Sequence, residues 1–155
     1  MFQKLINTSD DVTLTILRLV LGIVFFAHGA QKALGWFGGY GFSGTMGFFT
    51  QQMHIPALFA FLAIAAEFLG GIGLTIGLLG RLGAFGIACN MVVAILMVHR
   101  HFGFFANWFG QQKGEGYEYH LLAIAIALTL IVRGTGASRS ITRYQSRARK
   151  SLVHV

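Results

Sequence analysis

The amino-acid sequence predicts an all-α membrane protein: a four-helix transmembrane bundle with glycine- and aromatic-rich interfacial loops and both termini in the cytoplasm. Three observations lead there. Only 11% of the 155 residues are charged and 55% are hydrophobic, against about 25% charged in an average soluble domain. Four apolar runs follow one another, at 12–33, 58–79, 82–98 and 117–132. Basic residues concentrate on one side of the topology these runs imply, which orients the bundle. The spans use up most of the chain, so 1–136 reads as one membrane domain and 137–155 as a basic cytoplasmic tail.

The first run carries Arg18, which costs roughly 2.5–3.5 kcal/mol at a helix centre. Its ten apolar residues between Leu14 and Phe26 return about 0.3–0.6 kcal/mol each, so a span still forms. No small-residue cleavage site follows a short apolar core, and the span reads as retained. At 100° per residue, Arg18, Gly22, Phe25, Gly29 and Lys32 share one broad face with His28 at its edge, and that face should point inward. The next stretch, 34–56, is too rich in glycine for a regular span, and Trp36, Phe37, Tyr40 and Phe42 suit the headgroup level. A folded interfacial or re-entrant segment packed on the helices is expected, because irregular backbone at membrane depth must be covered by protein or line a cavity.

The second run is the centre of the reading. At about 1.5 Å per residue it rises roughly 33 Å, enough to cross a bilayer core, and Glu67 stands near its midpoint. A carboxyl there must face protein or a polar cavity and is a functional-site hypothesis by default. A buried carboxyl that only orients helices is the simpler alternative. Ala63, Ala66, Gly70 and Gly71 around it let neighbouring helices come close.

The third run ends at His99-Arg100-His101, and the fourth opens with Tyr117-Glu118-Tyr119-His120. Two Trp-Phe-Gly triplets, at Trp36 and Trp108, hint at a two-helix unit used twice. With four spans, Lys4, Arg81 and the cluster Arg133, Arg139, Arg143, Arg147, Arg149 and Lys150 fall on one side, and Lys32, Arg100 and Lys113 on the other. The positive-inside rule then places the termini in the cytoplasm. The tail's apolar stripe, Ile141, Tyr144, Ala148 and Leu152, reads as a short amphipathic helix on anionic lipid. The net charge of +7 is thereby assigned to lipid and not to nucleic acid.

Depth along the helices puts Arg18 roughly 9 Å, Glu67 roughly 18 Å and His28 roughly 24 Å from the inner ends. Glu67, His28 and Arg18 are therefore the candidate catalytic residues of an outward polar pocket. A carboxyl and a histidine there could exchange protons with a quinone headgroup, if poised near working pH, with the aromatic loops as stacking surfaces. His28 and His120 could also face each other as axial haem ligands, although bundle histidines more often simply hydrogen-bond. No metal site is expected: His99 and His101, like Glu118 and His120, are two residues apart and point to different helix faces. The single cysteine, Cys89, excludes an internal disulfide.

The stretches His28-Gly29-x-Gln31-Lys32, Gly35-Trp36-Phe37-Gly38-Gly39, Glu67-Phe68-x-Gly70-Gly71, Gly77-Leu78-Leu79-x-Arg81 and Gly116-Tyr117-Glu118-Tyr119 resemble the DoxX family of bacterial membrane proteins. The resemblance runs over 18–136, with Tyr40 departing from a proline common in this loop. It implies a small multi-pass subunit of a quinone-linked redox complex in the bacterial inner membrane, non-catalytic or quinone-facing. Lys32, Trp36, Tyr117, Glu118 and His120 are the candidate cofactor contacts. A protein partner or a homo-oligomer is expected alongside lipid. An accessory or assembly subunit and a small-solute permease are the alternatives.

Overall fold

The computed structural model describes residues 11–136 of the chain. The tail, 137–155, with its expected amphipathic helix, and Lys4 lie outside the described residues. Five α-helices are present among those described: α1 Val12–Leu34, α2 Gly41–Gly47, α3 Ala57–Ile76, α4 Gly80–Met97 and α5 Glu118–Arg133. Asp11 caps α1, its carboxylate accepting from the backbone N–H of Thr13 at 2.8 Å; such a cap satisfies one of the orphan donors of the first turn. Gly35 (φ 74°) ends α1 and Gly77 (φ 77°) ends α3, both in the left-handed region that only glycine enters without a steric penalty.

The four long helices run antiparallel to their neighbours. Gly22 of α1 lies against Thr75 of α3 and Gly29 against Phe68, while Gly70 of α3 lies against Gly83 of α4. The turn after α4 brings His99 over His120 in the first turn of α5. Leu14, Leu21 and Phe25 of α1, Leu74 of α3, Ala84, Ile87 and Met91 of α4 and Ala123, Ala127 and Leu130 of α5 form one buried core. Glycine and alanine carry the contacts because helix association in lipid depends on close packing, not on a hydrophobic drive.

The expected four-span bundle with both termini in the cytoplasm is corrected. Among the described residues three helices, α1, α3 and α4, are long and apolar enough to cross a membrane. The apolar run at 117–132 forms α5, which has 16 residues and is about 24 Å long, against a hydrocarbon core of about 30 Å. Length separates it from the spans, not burial: Ala123, Ala127 and Leu130 are buried against the other helices while Leu121, Leu122, Leu128 and Val132 stay exposed. The assignment of both termini to one side rested on an even number of spans, and it falls with the fourth.

The 34–56 segment is built of short helical pieces: a 3₁₀ turn Trp36–Gly38, then α2, then a π turn Phe48–Gln52. It packs on α1 and α3 at the same end of the bundle as the α4–α5 connection.

Arg18 is placed by this packing at the far end of α3. It is 5% exposed, and its Nη1 donates to the carbonyl oxygens of Leu74 at 2.6 Å and Thr75 at 3.2 Å. These are among the last carbonyls of α3, where the helix dipole is negative and a cation is favoured. Arg18→Met is expected to lower unfolding free energy by about 1.5–3 kcal/mol, the range for hydrogen bonds made by a charged group. Thermal unfolding in lipid nanodiscs measures it; an unchanged midpoint removes the capping role.

Candidate functional site

Gly29 brings the α1 backbone against the backbone of Glu67 and Phe68. Lys32, three residues on and on the same face of α1, thereby reaches the carboxylate. Its Nζ stands 2.5 Å from Glu67 Oε2, with 27% of the lysine side chain exposed. From the third helix, Asn90 Nδ2 donates to Glu67 Oε1 at 2.7 Å. The carboxylate, 4% exposed as a residue, is thus held by one cation and one amide, and it ties α1, α3 and α4 together.

This cluster lies in the wall of a cavity of about 1390 Å³. His28, Tyr119 and His120 stand on the wall with Lys32, Glu67 and Asn90, and most of the remaining lining is apolar. The rings of His28 and Tyr119 are 6.3 Å apart, and those of His99 and His120 are 3.9 Å apart. His99 Nδ1–H donates to the carbonyl of Glu115 at 2.8 Å. Burial first, then the neighbouring imidazoles of His99 and His28, pushes the His120 pKa down to about 4, so this ring is neutral near pH 7. The donors that face the cavity are an ammonium, an amide and a phenol, a set suited to a ligand that accepts hydrogen bonds. Among the described residues, no group of three His, Cys, Asp or Glu side chains is arranged to hold a metal ion.

The structure brings together four of the residues singled out from sequence: Glu67, His28, Lys32 and His120 all line the cavity. It sets four apart. Arg18 caps α3, about two turns from Glu67. Trp36 is half exposed and packs edge-on to Phe26, and Tyr117 packs edge-on to Phe104. Glu118 Oε1 accepts from Ala106 N at 2.9 Å and Trp108 Nε1 at 3.1 Å, fastening the loop that covers the end of the cavity. Asn90 was not singled out from sequence. The available signal was a lone amide in the apolar run of α4, which a neutral residue raises only weakly.

Glu118→Gln weakens both bonds while keeping the shape of the side chain. Faster proteolysis of the 103–116 loop is expected, with the α-helical content unchanged. Circular dichroism and limited digestion check both parts.

Fold and site together define a class: a small, all-α, multi-pass membrane protein whose spanning helices wall a cavity with a Lys–Glu–Asn cluster. The chain belongs to the DoxX family, whose sequence pattern matches residues 13–100. That range holds Lys32, Glu67 and Asn90, while Tyr119 and His120 lie beyond it. The chain is also 30% identical over 124 residues to CatD of Bacillus subtilis (strain 168), a protein provisionally named an oxidoreductase; the match covers 80% of this chain and 82% of CatD. No solved structure matches.

Proposed function

We propose that the chain is the membrane subunit of a quinone-linked redox complex, and that the cavity takes the quinone headgroup. One observation carries the reading: a buried, hydrogen-bonded carboxylate and its donors stand in the wall of an otherwise apolar cavity between spanning helices. Similarity to a protein provisionally named an oxidoreductase supports a redox setting. A quinone supplies two-electron, two-proton chemistry. Lys32 and Asn90 hold donors for its carbonyl oxygens, Glu67 orients both donors, and Glu67 with His28 can hold and pass protons at the headgroup. Arg18 acts through α3, keeping in register the helix that presents Glu67. Placement in the bacterial cytoplasmic membrane, a protein partner or second copy, and anionic lipid at the basic tail belong to the same reading.

The tying of three helices by Glu67 favours a second reading, an accessory subunit in which the cluster only holds the bundle together. Electron transfer by the intact complex, measured per assembled complex, separates the two. Under the redox reading Glu67→Gln and His28→Ala each lower it by about 100-fold or more, the range for positioned proton-transfer groups being about 10²–10⁴-fold. If activity per complex stays unchanged and only the yield of complex falls, the accessory reading replaces it.

A further inference from the structure

The cavity is larger than a headgroup needs. Pockets for drug-sized ligands are about 300–1,000 Å³, whereas this one holds about 1390 Å³; its polar lining is Lys32, Glu67, Asn90 and the rings of His28, Tyr119 and His120 at the cluster, with His54, His99 and Glu115 at the loop end. Its apolar remainder follows the seam between α3 and α4. The two helices come into close contact where Gly70 meets Gly83 and Ala66 meets Gly86. From that crossing toward the loop end, Phe59, Leu62 and Ala63 of α3 and Cys89, Val93 and Met97 of α4 line the opening between them.

The rim of this opening faces outward on two spanning helices: Phe59, Leu62, Val93 and Met97 are between 43% and 61% exposed. The loop end is lined differently, by Phe49 and Met53 of one connection and by Ala106 and Gly116 of the other. Connections therefore stand between the cavity and the interfacial end, while the α3–α4 side opens on the surface that a bilayer covers.

Resting on the quinone reading, we infer that the α3–α4 groove holds the prenyl chain of the quinone, with the ring against the Lys32–Glu67–Asn90 cluster and the chain leading out into lipid. A ligand of this shape uses both parts of the cavity: the donors at its inner end and the apolar arm at the rim. Leu62 and Val93 are then contacts to the chain, distinct from the residues that hold the ring.

The test is photolabelling in nanodiscs with decylubiquinone carrying a diazirine at the end of its chain, mapped by peptide mass spectrometry. Label is expected in peptides spanning 59–63 and 89–97. Excess decylubiquinone should displace it several-fold and equimolar decanol should not, and Leu62→Trp, on the exposed rim, should reduce it several-fold. Label spread over all three spans and not displaced overturns the chain groove. The quinone reading survives that result if tetramethylbenzoquinone, which has a ring and no chain, still binds in equilibrium dialysis and is lost with Glu67→Gln. Displacement by decanol as efficient as by decylubiquinone makes the groove an ordinary lipid contact and overturns the chain groove, and the quinone reading again stands or falls with the dialysis result.

Discussion

Replacing Glu67 by alanine is expected to lower the unfolding free energy by about 3 kcal/mol. Removing one partner of a buried ion pair strands the other and costs about 3–5 kcal/mol; the lower end applies because 27% of the Lys32 side chain remains exposed. Asn90 loses its acceptor in the same change. The double variant Lys32→Met/Glu67→Gln strands no charge and should recover most of the loss, as uncharged replacements of buried pairs commonly do. Denaturant titration of the wild type, Lys32→Met, Glu67→Gln and the double variant gives the coupling between the two sites. Quinone binding by the recovered double variant then decides between the readings of the cluster. Loss of binding in a stable bundle belongs to a ligand site, and retained function in the complex belongs to a helix tie. Additive losses, without recovery, would show that the pair contributes nothing beyond its separate side chains.

The second large effect is expected at Gly29. A Cβ there would meet backbone atoms of Phe68 and Glu67 inside contact distance, and backbone cannot rotate aside as a side chain can. Gly29→Leu must push α1 from α3, which separates Lys32 from Glu67 and Arg18 from the end of α3 in one step. Overpacking costs typically 1–3 kcal/mol and occasionally more; the upper end and beyond is expected, with most of the protein failing to accumulate folded. Gly47→Ala is the control. Nothing lies within 4 Å of a Cβ at Gly47, and the change removes a glycine from the end of α2, worth up to about 1 kcal/mol in helix propensity. Yield in membranes and unfolding midpoints of the two variants should therefore move in opposite directions. Equal behaviour would mean that the α1–α3 crossing tolerates a wider spacing than its glycines imply.

The loops show how far composition reaches. Glycine and aromatic density marked 34–56 as non-spanning, yet composition could not say that it is a series of short helical pieces, nor that Glu118 anchors the loop before α5 through Ala106 and Trp108. Those bonds link residues ten and more apart, and no local pattern encodes which acceptor a free N–H finds.

By itself the sequence determined the apolar helices, the membrane setting and Glu67 as the group around which the bundle must be satisfied, because burial of a charge in an apolar run is a local conflict visible in one dimension. Hydropathy along a run does not fix where a helix starts and stops, so 117–132 reads as a fourth span, whereas the helix formed there has 16 residues and is shorter than the three candidate spans. Only the tertiary structure decided which polar groups meet. Arg18 and Lys32 lie on the same face of α1, and either could have answered Glu67. The antiparallel approach of α1 and α3 at Gly22 and Gly29 slides the two helices so that Arg18 meets the last carbonyls of α3 and Lys32 meets the carboxylate. Asn90 enters for the same reason, through the crossing of α3 and α4 at Gly70 and Gly83. Helix offset and rotation arise from contacts between distant segments, and that is the part of the site the chain's local chemistry does not carry.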